Sequence, residues 1–206
     1  AQEIIDSDPA FTHPFMLQKR VEGTGQGIFA LYHHGKPVAF FNHRRLREKP
    51  PWGGVSVLSE SVEVDPVLLS HARTLLDAVK WHGIAMVEFK VNEDDTPYLM
   101  EVNTRFWGSL QLAIDAGVDF PWLLYQMACG ESVEAVNNYK IGTRLRWLIG
   151  DLDSLYITLK RKEYSLKEKL LAILHFLTPR PFITRHEVNR WSDIRPFLWE
   201  LKQYLK

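Results

Sequence analysis

Between Ile84 and Ser109 apolar and polar residues alternate along two arms joined by an acidic turn, IAMVEFKVNEDDTPYLMEVNTRFWGS. A period of two marks strands with distinct faces. On the first arm Ala85, Val87, Phe89 and Val91 point one way, and Ile84, Met86, Glu88 and Lys90 the other. On the second, Tyr98, Met100 and Val102 alternate with Leu99, Glu101 and Asn103. A tight turn at Asp94-Asp95, pairing Glu93 with Thr96, matches Val91 with Tyr98, Phe89 with Met100 and Val87 with Val102, and sets Glu88 opposite Glu101. A loop of odd length would throw Glu101 onto the apolar side, so the register is constrained.

The same patterning predicts the other elements. Residues 1–14 are a short amphipathic lead-in broken by Pro9 and Pro14, and Phe15–Gly23 reads as a strand ending in a glycine turn. Ile28–Tyr32 and Pro37–His43 form a hairpin turning at His33-His34-Gly35-Lys36, and Val55–Val64 is a further strand. Asp65 caps a helix that carries Pro66 at its first position, with Leu68, Leu69, Ala72, Leu75, Leu76 and Val79 at helical spacing and Gly83 beyond its end. Short helices follow at Leu110–Ala116 and Pro121–Cys129. From Ile141 to Lys206 the pattern becomes a helical appendage: Leu152–Leu159, Leu166–Leu177 and Ile194–Leu205, the last two separated by Pro179 and Pro181. Trp147, Trp191 and Trp199 are expected to anchor it on the sheet. In Ser165–Leu177, Lys167 and Lys169 stand against Leu170, Leu171, Ile173, Leu174 and Phe176, a stripe suited to packing or to a membrane surface. The fold class is α+β, an antiparallel sheet with packed helices.

Composition narrows the functional classes. The 206 residues are 46% hydrophobic and 12% aromatic, enough for one cored domain and an appendage. Lys+Arg and Asp+Glu both number 25, so nothing favours a nucleic-acid partner. No apolar run is long enough to span a bilayer, and no membrane partner is expected. The single Cys129 has no internal disulfide partner, in keeping with a cytoplasmic location. The eight histidines show no zinc-type spacing, and His43, His71 and His82 read as surface or core polar residues. Absence of G-x-x-x-x-G-K-[ST], G-x-S-x-G and G-x-G-x-x-G argues against a P-loop NTPase, an α/β-hydrolase and a Rossmann dehydrogenase. The chain opens on Ala1 and reads as a piece of something longer.

The candidate chemistry lies where Glu88 faces Glu101, with Asn103 two residues further along. Opposed like charges destabilise a strand pair, so the register makes sense if a cation sits there. Two carboxylates and an amide carbonyl are hard oxygen ligands that suit Mg²⁺ or Mn²⁺. The alternative is a solvated face with each Glu held by a neighbouring Lys or Arg. Arg105, at the strand end, could hold a phosphate oxygen or a developing oxyanion. Arg44, Arg45 and Arg47 cannot all face a core; alternation separates Arg44 from Arg45 and Arg47. Trp52-Gly53-Gly54-Val55-Ser56 reads as a loop that could close over substrate.

The order Glu88, then Glu101-Val102-Asn103-Thr104-Arg105, resembles the C-terminal metal-binding segment of the ATP-grasp superfamily. Phe106-Trp107-Gly108-Ser109 and Ala116-Gly117-Val118-Asp119-Phe120-Pro121 are similar to its carbamoyl-phosphate-synthase-like, carboxylate–amine ligase branch. The likeness runs from about Phe15 to Gly130. It implies that Glu88, Glu101 and Asn103 hold Mg²⁺ (or Mn²⁺) on ATP, that Gln18, Lys19, Arg20 and Val21 form the adenine strand, and that Arg44 and Arg45 reach the phosphates or an acyl-phosphate. Arg45 and Arg105 would be the catalytic residues. Many members carry an acid for the ribose where this chain has Gly25, so Thr24-Gly25-Gln26-Gly27 would meet the nucleotide through backbone alone, or be a plain glycine connection. The resemblance further implies that residues 1–130 are the C-terminal lobe and 131–206 an appendage. The partners would be a small-molecule carboxylate, an amine and the N-terminal lobe of the same protein, with a homodimer as a candidate assembly. The expected activity is ATP-dependent joining of the carboxylate to the amine through an acyl-phosphate, with this portion inactive alone. The alternative is a non-catalytic nucleotide- or metal-binding regulatory module.

Overall fold

The structure is a computed structural model, and it describes residue 16, residues 18–178 and residues 183–205. The lead-in at 1–14, Phe15 and Leu17 of the expected first strand, Pro179, Pro181 and Lys206 lie outside the described residues. Among the described residues seven strands form one sheet: β1 (Thr24–His33), β2 (Lys36–Lys49), β3 (Val55–Val62), β4 (Gly83–Val91), β5 (Pro97–Asn103), β6 (Arg144–Arg146) and β7 (Thr184–His186). Their order is β5-β4-β1-β2-β3-β6-β7. Every neighbouring pair is antiparallel except β6–β7, which is parallel. Six helices among the described residues complete the α+β fold: α1 (Pro66–Ala78), α2 (Leu110–Ala116), α3 (Phe120–Ala128), α4 (Leu148–Lys160), α5 (Leu166–Leu177) and α6 (Arg195–Tyr204).

Alternation sorts β1 and β4 between two buried layers. Ile28, Ala30, Tyr32, Ala85, Val87 and Phe89 pack against Leu68, Ala72 and Leu76 of α1. Asp65 begins that helix as expected, its carboxylate accepting from the amides of Val67 and Leu68 at 2.8 and 3.0 Å. On the other face Phe29, Leu31, Ala39, Phe41, Ile84 and Met86 pack against Trp107, Leu112, Ala113, Phe120 and Leu123 around α2 and α3. This second layer runs out beyond Phe41 and Met86, and there the chain places His43, Arg45 and Glu88.

The β4–β5 hairpin keeps Glu88 opposite Glu101 and Val87 opposite Val102, but by a different route from the one expected. Asn92 closes the loop on Thr96 (N to O, 3.1 Å), leaving three residues in the turn, with Asp95 left-handed at φ +56°. The pairs near the turn are therefore Val91–Pro97, Lys90–Tyr98 and Phe89–Leu99. A bulge between Glu88 and Phe89 leaves Met100 without a facing residue and restores the register. The expected match of apolar faces does not hold on β5. Neither helical layer reaches this edge strand, and Tyr98, Leu99, Met100 and Val102 are exposed.

Residues 141–206 are not wholly helical, because β6 and β7 extend the sheet. Trp147 is half-buried, whereas Trp191 is fully exposed and Trp199 largely so; these two anchor nothing among the described residues. On α5, Leu171, Ala172 and Phe176 line a crevice against α4, while Leu166, Leu170, Leu174 and Leu177 stay exposed. No helix among the described residues is long and apolar enough to cross a membrane.

Candidate active site

A cavity of about 660 Å³ opens where the α2–α3 layer ends. Its walls include His43 and Arg45 of β2, Glu88 of β4, Glu101 and Asn103 of β5, and Arg105 just beyond. The floor is β1, where Gly27 lies between its partners His43 and Glu88. With no side chain on that floor, Arg45 reaches across β1 from β2 to β4. An atom at the Cβ position of Gly25 would touch Arg45 Nη1 at 3.6 Å. Arg45 Nη2 donates to Glu88 Oε1, and its Nη1 donates to Glu48 at 3.1 Å and to the Gly54 carbonyl at 3.2 Å. The last contact ties down the loop expected to close over substrate, at a residue where any Cβ would lie 2.3 Å from the Lys49 carbonyl oxygen.

Glu101 is exposed and accepts from Asn103 Nδ2 at 2.7 Å, which leaves the Asn103 carbonyl oxygen uncommitted to that bond. The two glutamates respond oppositely to their surroundings. Burial, then the hydrogen-bonding Glu101, raise Glu88 above the usual carboxylate range against the pull of Arg45. Glu101 is lowered, first by its bond with Glu88 and then by Asn103. The pair thus shares a proton demand across the strands, as two carboxylates without enough positive charge do. Arg105 lines the same cavity, with Nη1 donating to the Phe106 carbonyl at 3.1 Å.

His43 is buried and its Nε2 lies 2.7 Å from Ser109 Oγ. Ser109 stands at the N-cap of α2 without capping it, because its hydroxyl faces the imidazole instead. Burial, helped by the Arg45 charge, pushes His43 down to about 3, so the ring is neutral. Its Nδ1 and the Nε1 of buried Trp107, which also lines the cavity, have no protein partner among the described residues. Buried polar atoms are seldom left so.

Local patterning missed the far wall. Trp147, Glu187 and Glu200 come from the C-terminal segment, with Trp147 Nε1 donating to Glu200 Oε1 at 2.6 Å. Burial and then the Glu200 charge push Glu187 up to about 7. No motif marks these residues; Trp147 is placed by the end of β6, where its amide donates to the Val57 carbonyl at 2.9 Å, and Glu187 and Glu200 by the return of the chain through β7 and α6.

Several expected positions fall elsewhere. Gln18, Lys19, Arg20 and Val21 form no strand; they precede β1 as exposed or half-exposed chain and do not line the cavity. A strand needs an edge to pair with, and both edges of β1 belong to β2 and β4. For the same reason Gln26 and Gly27 cannot offer a free backbone edge, being paired on both sides. Arg44 points away from the cavity and gives its guanidinium to Glu60, at 2.9 and 2.5 Å. Glu60 also accepts from Arg144, and these arginines outweigh its burial to hold it below the usual range. Arg47 parts from Arg45 because β2 is irregular between them, and it turns to Asp151 of α4.

Residues 11–150 match the family described as ATP-grasp in the biosynthetic pathway with Ter operon. Among solved structures the chain is similar to a biotin carboxylase from Campylobacter jejuni, with 17% identity, 62% of this chain on 30% of that one and a TM-score of 0.50. Others are the phosphoribosylaminoimidazole carboxylase ATPase subunit from Aquifex aeolicus (14% identity, 59% on 38%, TM-score 0.49) and an L-amino acid ligase from Bacillus licheniformis (19%, 61% on 33%, 0.47). The chain therefore spans roughly a third of these proteins, and at 17% identity the likeness to the biotin carboxylase is one of fold. No curated protein matches it. With more than half of its length matched, the chain belongs to the ATP-grasp family of the biosynthetic pathway with Ter operon.

Proposed function

We propose that this chain supplies the metal- and phosphate-facing wall of an ATP-dependent ligase that joins a carboxylate to an amine. The observation that carries the reading is the Glu88–Glu101 opposition, with Asn103 beside it and Arg45 and Arg105 on the same cavity. The donor set fits Mg²⁺ or Mn²⁺: two carboxylates in excess of their positive charge and an amide oxygen, all hard ligands. Glu88, Glu101 and Asn103 would hold the ion. Bound there, it would offset negative charge on the phosphoryl group in transfer.

The reaction proposed is transfer of the γ-phosphoryl group of ATP to a carboxylate oxygen, followed by displacement of phosphate by the amine. Arg105 and Arg45 stabilise the acyl-phosphate through charge-assisted hydrogen bonds. His43 stays neutral and positions Ser109, and the unpartnered His43 Nδ1 and Trp107 Nε1 offer polar contacts to substrate. A lobe N-terminal to these residues in the same protein would provide the other half of the cleft. Membership of the family supports the nucleotide-dependent part of this reading.

The test is turnover by the full-length protein with ATP, Mg²⁺ and a panel of amino acids and amines. Product should form with the native protein, and Glu101→Gln should abolish it while leaving the circular-dichroism spectrum unchanged. Normal activity in Glu101→Gln would sink the metal assignment. Nucleotide binding without any turnover across the panel would favour a regulatory module.

A further inference from the structure

His33, His34 and His82 come together at the opposite end of β1 from the cavity, and we infer that they form a binding site for a transition-metal ion of the Zn²⁺ class. All three are exposed, and one ring nitrogen from each lies within 4.8 Å of the others. The ring centroids are 4.7 Å apart for His33–His34, 5.6 Å for His33–His82 and 4.3 Å for His34–His82. No motif spacing announces such a cluster, because the third member stands 48 residues beyond His34.

Backbone geometry builds it. Successive residues of a strand point to opposite faces, so His33 and His34 would ordinarily diverge. His34 instead takes a left-handed conformation at φ +48°, followed by Gly35 at φ +78°, in the two-residue turn between β1 and β2. That turn is fastened to the segment entering β4. The Gly35 amide donates to the Trp81 carbonyl at 2.8 Å, and the His34 amide to His82 Nδ1 at 3.1 Å. The triad is thus held by two chain segments rather than by one mobile tip.

Its charge environment also suits a cation shared by neutral rings. No ion pair involves any of the three among the described residues. Three protonated imidazoles at these separations would repel one another, whereas three neutral ones present a converging set of nitrogen lone pairs. Imidazole is a favoured ligand of Zn²⁺, Cu²⁺ and Ni²⁺ and a poor one for Mg²⁺. Three histidines leave a fourth position of a tetrahedral ion open to water. Loading exchanges the His34 N–H bond to His82 Nδ1 for a metal bond if that nitrogen is used, and the exposed amide then meets water. Glu88 pairs with Gly27, whereas His33 lies six residues further along β1, on the order of 20 Å at strand rise. The site is therefore separate from the carboxylate pair. A bound ion would clip the β1–β2 turn to the start of β4.

Calorimetric titration of the chelator-treated, untagged protein with Zn²⁺ at neutral pH tests this. One equivalent should bind with micromolar or tighter affinity, and Co²⁺ should give the visible bands of a four-coordinate nitrogen site. The thermal midpoint should rise by several degrees when Zn²⁺ exceeds its Kd by about 100-fold, and binding should weaken as the pH is lowered, since protons compete with the metal for the imidazole nitrogens. His34→Asn, which tolerates the left-handed turn, and His82→Gln should each weaken binding at least tenfold. Glu101→Gln should bind Zn²⁺ as the native protein does, and Mg²⁺ should not compete. Lack of one-equivalent binding, its survival in both histidine variants, or its loss in Glu101→Gln would overturn the site. None of these outcomes depends on ligase activity.

Discussion

Two arginine–carboxylate clusters flank β2, and they are finished to different degrees. In one, Asp151 is 1% exposed, and its oxygens accept from Arg47 Nε, Arg47 Nη2 and Arg146 Nε, each at 2.6 Å. Arg146 Nη2 also donates to the Phe176 carbonyl at 3.0 Å, and the guanidinium lies over the Phe176 ring. In that cluster the carboxylate is fully committed, with cations in excess around it. In the other, Arg45 meets Glu88, but Glu101 stands directly across the strands and the cavity lies open above them. Residue types are the same; the balance of charge and the access of solvent separate a clamp from a site.

The largest expected effect would come from opening the closed cluster. Asp151→Ala strands the buried Arg146 and takes the partner from the partly exposed Arg47, and urea unfolding should show a loss of about 3–5 kcal/mol. A loss below about 1 kcal/mol would erase the distinction. Next is the pH dependence of the cavity side. His43 is about 3 when folded and 6.5 when free, so its contribution is full above 6.5 and declines as pH falls toward 3. Glu187 is about 7 when folded and 4.5 when free, so its contribution runs the other way, declining as pH rises from 4.5 to 7. Each changes stability by about 1.4 kcal/mol per pH unit at most, and between 4.5 and 6.5 they cancel. Glu187→Gln should unmask the His43 slope, making stability fall by up to about 3 kcal/mol as pH is lowered through that window. A flat profile in the variant would mean that His43 is not held neutral.

Smaller effects probe the open cluster itself. On the function proposed, Arg105→Lys in the full-length protein should lower turnover at least tenfold, about 1.4 kcal/mol, because Lys cannot reproduce the forked phosphate contact proposed for Arg105. ATP affinity should change much less, and unchanged turnover would remove Arg105 from the chemistry. Smallest is the effect of Glu101→Gln on metal-free stability, a change of about 0–1 kcal/mol in the stabilising direction, since it relieves cross-strand repulsion. A clear loss of stability would show the pair to be structural, like Asp151.

Most of the sheet and its carboxylate pair are legible in the alternation of the sequence, since side-chain direction in a strand is dictated by position. The Asp65–Pro66 helix start is equally readable, being local chemistry. Features set by distant chain are not. Nothing near Arg47 announces Asp151, and nothing near Trp147 announces Glu200. The histidine triad depends on a turn conformation and a contact across 48 residues. Trp191 and Trp199 mislead because size alone does not supply a surface to cover them. Gln18–Val21 mislead because apolar alternation cannot tell whether an edge is available.

The three-residue turn and the bulge at Met100 govern how this hairpin can change length. Each alone shifts the strands by one place and would carry Glu101 to the wrong side; together they cancel. The bulge is therefore a spare place in the strand. Deleting Met100 alone leaves Phe89 on Leu99 and Glu88 on Glu101 in an unbroken ladder, and deleting one residue of the turn alone leaves Asn92 facing Thr96 across a two-residue turn with the pairs beyond it unchanged. A lone deletion in this stretch is absorbed without moving either carboxylate off the shared face.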